Sequence, residues 1–419
     1  MSIVLGNSIV NKNRILKNSF YLLILNVINI ISPMIVLPYL SRVLGVNNYG
    51  FLMYALSLSA ICWIVTDFGF NLFGVYYVSK NRIDKVKLGK FIGAVYKIKV
   101  GLVVFSSLAV VLLFNLTDSI SLSKNLVLLV CFNVLVQSLF LNWLFQGLEK
   151  MNLITVISAV AKLIYVVLTF SLVKEESDVE LVLMLYCISN MITVIMSMFL
   201  ISRMGIKIKF KSRKLYNVAI FFSSARFFYS RIAVSLYTSA STFLIGLFLG
   251  PQSVALYSSA EKIYQAAQSL TGVLSQAFFP FMVREKRSRL LFIVTFTIGT
   301  LLLIFCSIIS IFSENLIEII YGVQFVSASN VLNYFLVTIV VNFFGVSFGY
   351  PLFASINRLD VVNYSVIIGA VVYAIILMFF LFNNTFSIEN VSIAVLAVET
   401  LVMCIRLLSY KIISRRVSV

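Results

Sequence analysis

Two stripes of polar residues lie on neighbouring apolar segments between residues 226 and 280. Their spacing places each stripe on one face of an α-helix. The first stripe consists of Arg231, Ser235, Thr238 and Thr242, and the second of Glu261, Gln265, Gln268, Gly272 and Ser275. Because a guanidinium near the bilayer centre costs at least about 2.5–3.5 kcal/mol, both faces are expected to meet protein or water. The stripes therefore predict a hydrated cavity inside a helix bundle, a candidate transport pathway.

Other kinds of chemistry have little support in the sequence. The chain has no histidine, which excludes Ser-His-Asp and Cys-His arrangements and removes the commonest metal ligand. The five cysteines lie in apolar runs without CxxC spacing, and no GxxxxGK[ST] motif occurs. We therefore expect no cofactor, no metal site and no enzymatic activity.

The composition is typical of an all-α integral membrane protein. The chain is 61% hydrophobic and 11% charged, whereas a soluble protein carries about 25% charged residues. Since about 20 apolar residues cross the hydrocarbon core, twelve transmembrane helices are predicted. They cover residues 17–39, 50–78, 91–114, 124–147, 152–173, 180–202, 218–248, 252–283, 290–312, 330–353, 361–382 and 391–411.

The distribution of basic residues predicts the orientation of these spans. If the N-terminus is inside, the inside segments carry 23 lysine and arginine residues and the outside segments carry three. This asymmetry predicts that both termini are cytoplasmic. The net charge of +18 is then explained by topology and by attraction to anionic membrane lipid, and a nucleic-acid partner is not expected.

The chain also shows an internal repeat. The turn at residues 43–50 aligns with residues 248–255 at an offset of 205, which places Asn26 opposite Arg231. Six spans in each half predict a pseudo-two-fold axis along the membrane normal, with a cavity between two lobes. We place the N-lobe at residues 1–208 and the C-lobe at residues 209–419.

The charges within the predicted spans give a cationic interior. Seven are basic and three are acidic: Lys97, Lys99, Lys162, Arg226, Arg231, Lys262 and Arg406, with Asp67, Glu261 and Glu399. A cationic pocket suits an anionic substrate such as a phosphate or diphosphate. Lys162 and Arg231 lie near the middle of their spans, which favours a role in the cavity.

For the other charges the sequence leaves alternatives. Snorkelling to the membrane edge is favoured for Lys97, Lys99 and Arg406, and is an equal alternative to a cavity role for Arg226. Glu261 and Lys262 fit either the cavity or ion pairs with other helices. Asp67 and Glu399 fit either structural counter-ions or proton- or cation-coupling sites.

Several segments resemble a known family. WLFQGLEKM at residues 143–151 and YSSAEKI at 257–263 are the most specific of them. The others are PYLSRVLG at 38–45, YG at 49–50, LYT at 236–238, LG at 249–250, FP at 279–280 and YG at 321–322. These segments resemble O-antigen flippases of the Wzx type, within the multidrug/oligosaccharidyl-lipid/polysaccharide exporter (MOP) superfamily. Many relatives carry an acidic residue just after LYT, whereas this chain has Ser239-Ala240-Ser241, which puts a coupling role at that point in doubt.

The resemblance implies two six-helix lobes that form a V around a central cationic cavity. It also implies a substrate, undecaprenyl diphosphate carrying an oligosaccharide, that moves from the cytoplasmic to the periplasmic leaflet of a bacterial inner membrane by alternating access. Polysaccharide polymerase machinery is a partner through the resemblance alone. The roles expected for individual residues are diphosphate binding by Arg231, Lys162, Lys262 and Arg226, charge balance or coupling by Asp67, Glu261 and Glu399, and cavity lining by Asn26, Ser235, Thr238, Thr242, Gln265 and Gln268.

Two other functions remain open at this stage. A drug/cation antiporter of the same superfamily would prefer an acidic cavity, which the excess of basic residues disfavours. A membrane polymerase or acyltransferase acting on the same lipid-linked glycan would need catalytic groups and a sizeable loop, and the sequence offers neither.

Overall fold

The computed structural model describes residues 2–116, 123–211, 213–238, 240–285, 288–356 and 358–417. Within these ranges, side chains are not described at residues 2–17, 19, 229–238, 273–274, 276–281, 283–284 and 415–417. The described residues form helices and no strands, which confirms the predicted all-α class.

Sixteen α-helices and one short 3₁₀ segment make up the described part of the chain. In order they are α1 (Ser2–Asp67), α2 (Phe70–Asn81), α3 (Lys85–Leu116), α4 (Lys124–Leu139), α5 (Asn142–Gly147), α6 (Met151–Leu172), α7 (Val179–Arg203), α8 (Lys214–Thr238), α9 (Ala240–Leu249), α10 (Pro251–Glu285), α11 (Ser288–Ile311), α12 (Ser313–Tyr321), the 3₁₀ segment Val323–Ala328, α13 (Ser329–Ser347), α14 (Tyr350–Ser355), α15 (Asp360–Phe382) and α16 (Ile388–Val417).

Two glycines with positive φ, Gly45 and Gly250, mark places where the chain turns. Within α1, Gly45 adopts φ 69° and ψ 173°, so the chain bends between its first and second spans, as the repeat alignment predicts. Between α9 and α10, Gly250 has φ 85° and Pro251 follows as the first residue of the next helix. Proline suits this position because the first helical N–H has no partner within the helix. The turn within the aligned segment 248–255 therefore consists of Gly250 alone.

Within the described residues, three predicted spans are interrupted. The second breaks at Phe68 and Gly69, both with positive φ, and the fourth breaks between α4 and α5. The tenth breaks between α13 and α14. The short helices α5 and α14 each contain six residues and begin 208 positions apart, close to the predicted repeat offset of 205. The interruptions of the fourth and tenth spans therefore follow the internal repeat, whereas α10 continues through residues 273 and 274, which align with Phe68 and Gly69.

The exposed surface is apolar, as expected for helices in lipid. Leu112, Leu163 and Phe305, for example, lie on three different long helices and are 59%, 64% and 59% exposed. Among the described residues, nine helical stretches are long and apolar enough to cross a membrane, and one of them, Phe20–Asn81, contains 62 residues. The protein is therefore a multi-pass membrane protein, and the total of twelve spans stays a prediction.

The chain divides into two compact units. The first comprises Met1–Leu37 and Leu58–Arg231, and the second comprises Pro38–Ser57 and Ile232–Val419. Fully buried aromatic side chains, including Phe91, Trp143 and Phe145, form the core of the first unit. The boundary proposed between residues 208 and 209 remains a prediction.

The second unit includes the bend of α1 and the short elements after α11. Ser41 donates from its hydroxyl to the Tyr321 carbonyl at 3.0 Å, and Arg42 donates to the Ile319 carbonyl. The Tyr49 ring packs edge-on against Phe325, with ring centroids 5.4 Å apart. The short helix α12 carries both the Ile319 and the Tyr321 carbonyl groups.

Candidate functional site

A buried carboxylate on α10 is the first element of a polar network in the second unit. Glu261 is 5% exposed, and the Thr242 hydroxyl on α9 donates to its Oε2 at 2.7 Å. The Lys262 ammonium acts electrostatically on the same carboxylate. Lys262 is half-buried and donates to Gln265 Oε1 at 2.9 Å. Four predicted site residues are thus neighbours, and Glu261 has partners on its own helix and on α9.

A second carboxylate, Glu399, accepts a hydrogen bond from the next turn of α10. The Tyr264 hydroxyl donates to Glu399 Oε1 at 3.3 Å, and Gln268 Nε2 donates to the Tyr264 oxygen at 3.2 Å. Glu399 belongs to α16 and is 6% exposed. Asn342 of α13 also hydrogen-bonds to it. The network therefore joins α9, α10, α13 and α16, and two of its members, Tyr264 and Asn342, were missed in the sequence.

Arg406 occupies the far end of this network and is not a snorkelling residue. It is 7% exposed, its Nε donates to Ser365 Oγ at 3.0 Å, and one terminal nitrogen donates to the Gly345 carbonyl at 2.6 Å. Its guanidinium also acts electrostatically on Glu399, two turns earlier on the same helix. The snorkelling interpretation is wrong here because packed helices, and not lipid, surround this face of α16.

The first unit holds a separate buried pair. Asp67 and Lys99 are 5% and 3% exposed, and the Asp67 carboxylate acts electrostatically on the lysine. Lys99 Nζ also donates to the Ser138 carbonyl at 2.8 Å. Snorkelling is therefore wrong for Lys99 as well, whereas Lys97 is exposed as that interpretation requires. Of the two roles considered for Asp67, this contact supports that of a counter-ion.

Lys162 differs from these buried cations. It is half-buried at the twelfth position of the 22-residue helix α6, well away from either end. Within the described part of the chain, no carboxylate forms a salt bridge with it. A lysine at the centre of a spanning helix costs about 2.5–3.5 kcal/mol unless water or an anion meets it. The described residues therefore supply no salt-bridged counter-charge to Lys162.

Helix α7, whose Ser189 hydroxyl donates to the Ala161 carbonyl at 2.8 Å, shares a polar cluster with α4 that the sequence reasoning missed. Asn133 on α4 is fully buried, and its Oδ1 accepts from Asn190 Nδ2 at 2.9 Å and from Gln137 Nε2 at 3.4 Å. The rings of Tyr165 on α6 and Tyr186 on α7 pack edge-on at 5.7 Å. Asparagines and glutamines inside otherwise apolar runs were a usable signal, since such groups require partners in lipid.

The other predicted site residues lie on α1 and α8. Asn26 is half-buried on α1, and Arg226 is exposed on α8. Arg231, Ser235 and Thr238 also belong to α8, but their side chains lie outside the described residues. Diphosphate binding by Arg231 and cavity lining by Ser235 and Thr238 therefore stay predictions.

Comparison with known proteins agrees with this arrangement of helices. Residues 15–286 match the family described as "Polysaccharide biosynthesis protein". The chain is 28% identical over 274 residues to a "Putative O-antigen transporter" of Escherichia coli (strain K12), an alignment that covers 64% of this chain and 65% of the relative. A protein with the same description from Shigella dysenteriae is 28% identical over 267 residues, covering 63% and 66%. The chain thus spans just under two thirds of the length of these relatives.

Two solved structures share the fold. The "Lipid II flippase MurJ, inward closed conformation" matches with a TM-score of 0.70 and 13% identity, over 94% of this chain and 87% of that one. An inward-facing multidrug resistance MATE family transporter of the MOP superfamily matches with a TM-score of 0.68 and 13% identity, over 91% and 94%. At this identity the likeness concerns the fold alone. Because the family match covers more than half of its length, the chain belongs to the polysaccharide biosynthesis protein family, and it has the fold seen in MurJ and MATE transporters.

Proposed function

We propose that this protein is a flippase that moves undecaprenyl-diphosphate-linked oligosaccharide units from the cytoplasmic to the periplasmic leaflet of a bacterial inner membrane. Family membership and the relatives described as putative O-antigen transporters support the substrate class. The fold shared with a lipid II flippase supports a lipid-linked substrate. Alternating access, with both termini in the cytoplasm, is the mechanism that we propose.

The observation that carries the proposal is Lys162 at the centre of α6, with which no carboxylate in the described part of the chain forms a salt bridge. Lys99 and Arg406 are buried cations, but carbonyl and carboxylate groups of their own units already hold them. Lys162 has no such carboxylate among the described residues, and the lysine head group can meet the diphosphate as it crosses. We propose that Arg231 and Lys262 share this task, with a smaller contribution from the exposed Arg226.

The polar side chains around these cations have supporting roles in this mechanism. We propose that Gln265, Gln268 and Thr242 on one unit, and Asn26 on the other, contact the glycan or the water around it. We assign charge balance to Asp67 and Glu261, since each faces a lysine. Glu399 faces Arg406 and a tyrosine hydroxyl, and charge balance is its assigned role too.

The proposal is tested by complementation in a bacterium that lacks its flippase and makes the matching repeat unit. Lys162→Ala should lower surface polysaccharide at least about ten-fold, because a hydrogen bond to a charged group contributes about 1.5–3 kcal/mol. Lys162→Arg should restore part of it. Lys97→Ala, which removes an exposed lysine of α3, is the matched control and should export normally. Full export by a well-expressed Lys162→Ala protein would refute the role of this lysine.

A reconstituted system separates the proposal from the alternative functions. Purified protein in vesicles that contain a labelled lipid-linked oligosaccharide should make the label accessible to an external glycosidase without changing the mass of the lipid. A new covalent product would instead indicate a polymerase or acyltransferase. Efflux of a cationic drug without movement of the labelled lipid would indicate an antiporter.

A further inference from the structure

The segment that connects α7 to α8 has two chemically different faces. Residues 205–211, which we call the linker, have no helical structure after Gly205. Ile206 is 5% exposed and Ile208 packs against the core of the first unit, whereas Lys207, Lys209 and Lys211 are exposed. In an extended chain, successive side chains point to opposite sides. The linker therefore holds Ile206 and Ile208 against the protein and exposes three lysines together with Phe210.

The linker backbone is docked on the first turns of α3. Lys209 donates its backbone N–H to the Gly89 carbonyl at 3.0 Å. A Cβ on Gly89 would overlap the carbonyl oxygen of Lys207, and a Cβ on Gly93 would overlap that of Lys209. The two glycines, one turn apart on α3, form a groove that admits the linker backbone. This docking fixes the position of the lysines more tightly than a free loop would.

The surroundings of the linker are strongly basic. No aspartate or glutamate occurs between Glu180 and Glu261, while Arg213 and Lys214 directly follow the linker and are exposed. The start of α3 adds further basic residues, and the Lys85 ammonium lies 3.4 Å from the place of a Cβ on Gly205. Within the described residues, no carboxylate forms a salt bridge with the three lysines of the linker. Their charge is therefore free for a partner outside the chain.

The position of the linker identifies that partner. It begins directly after the spanning helix α7 and lies on the first turns of the spanning helix α3, so it lies at the membrane edge. The charge asymmetry of the sequence predicts that this edge is the cytoplasmic one. Four to eight basic residues directly beside spanning helices attract anionic headgroups. We propose that the linker, docked on α3, is a binding surface for the phosphate groups of anionic phospholipids, a property separate from the proposed transport of glycolipid.

The test is lipid retention by the purified full-length protein. Detergent-solubilised protein is titrated with phosphatidylglycerol or phosphatidylcholine, and the lipids that remain bound are counted by native mass spectrometry. The wild type should retain phosphatidylglycerol selectively. Replacing all three linker lysines by glutamine should weaken this retention about ten-fold or more, since each basic residue near an anionic surface contributes about 1 kcal/mol. Replacing them by arginine should preserve it.

Controls separate a specific surface from net charge. Neutralising Lys97, Lys124 and Lys411, three exposed lysines outside the linker, removes the same charge and should leave retention unchanged. Gly93→Ala keeps every charge but prevents close docking, so it should lower the selectivity for phosphatidylglycerol. Equal losses in the linker and control variants would overturn the proposal, as would full competition by soluble glycerol 3-phosphate. Unchanged selectivity in Gly93→Ala would overturn the role of docking.

Discussion

Removing the buried guanidinium of Arg406 should destabilise the second unit strongly. Arg406→Met keeps most of the side-chain length but deletes the hydrogen bonds to Ser365 and Gly345. It also leaves the buried Glu399 carboxylate without its cation. Loss of one partner from a buried pair costs about 3–5 kcal/mol, mostly because the other charge stays buried and uncompensated. We expect the single variant to lose an amount in this range.

The size of this coupling is measured with a double-mutant cycle. Glu399→Gln alone should also destabilise, since Arg406 then keeps its hydrogen bonds but loses its counter-charge. The double variant Arg406→Met with Glu399→Gln should be more stable than the sum of the single effects by about 1–3 kcal/mol, as found for residues that share a network. Unfolding by SDS in mixed micelles gives the four free energies.

The control for this cycle is an exposed cation on the same helix. Lys411 lies on α16 beyond the network and is exposed. Lys411→Met should therefore change the free energy of unfolding by less than about 0.5 kcal/mol. Strict additivity of Arg406→Met and Glu399→Gln would refute the reasoning, because it would show that the two side chains do not sense each other's charge. A loss below about 1 kcal/mol in Arg406→Met would show that the guanidinium is not buried as described.

Two further outcomes are expected from the packing and from a loop. Gly50→Ala should destabilise the second unit, because its Cβ would overlap the backbone carbonyl of Pro251. Gly101→Ala, whose Cβ would have no atom within 4 Å, should be neutral or stabilising by up to about 1 kcal/mol. Thermal unfolding measures both stabilities, and a Gly50→Ala protein more stable than Gly101→Ala would refute the packing argument. In the loop before α7, backbone N–H groups including that of Lys174 donate to Asp178 and lower the pKa of its carboxyl from 3.8. The folded-state pKa is depressed, so this stabilisation is present above pH 3.8 and is lost as the pH falls through the folded value. The protection factor of the Lys174 amide against hydrogen exchange should fall there in the wild type. An equal protection factor at neutral pH in Asp178→Asn would contradict the account.

Patterns within single helices predicted the general architecture. The length and spacing of apolar runs indicated a helical membrane protein, because only a helix satisfies every backbone group locally in lipid. The turn at Gly45 and the equivalent turn at Gly250 follow from the alignment of the two halves, and both glycines adopt positive φ. The stripe on α10 also predicted the burial of Glu261, since a carboxylate deep in a span must face protein or water.

The interruptions within spans were not predictable from hydropathy. The second span remains apolar through Phe68 and Gly69, so its average composition conceals the break at these residues. The Phe68 ring stacks on Phe221 at a centroid distance of 4.5 Å, and its carbonyl accepts from the Ser224 hydroxyl at 2.6 Å. These contacts come from a helix more than 150 residues away, and no local pattern contains them.

The partners of the buried charges were likewise decided by tertiary packing. Depth along a span indicated that Lys99 and Arg406 could reach the membrane edge, but the direction of each side chain depends on which helices pack around it. The Ser138 carbonyl and the Gly345 carbonyl are brought to them by α4 and α13. Sequence alone determined that this chain is a helical membrane protein with charges in its interior. Only the packing of distant helices decided which of those charges the protein itself holds, as it holds Lys99 and Arg406.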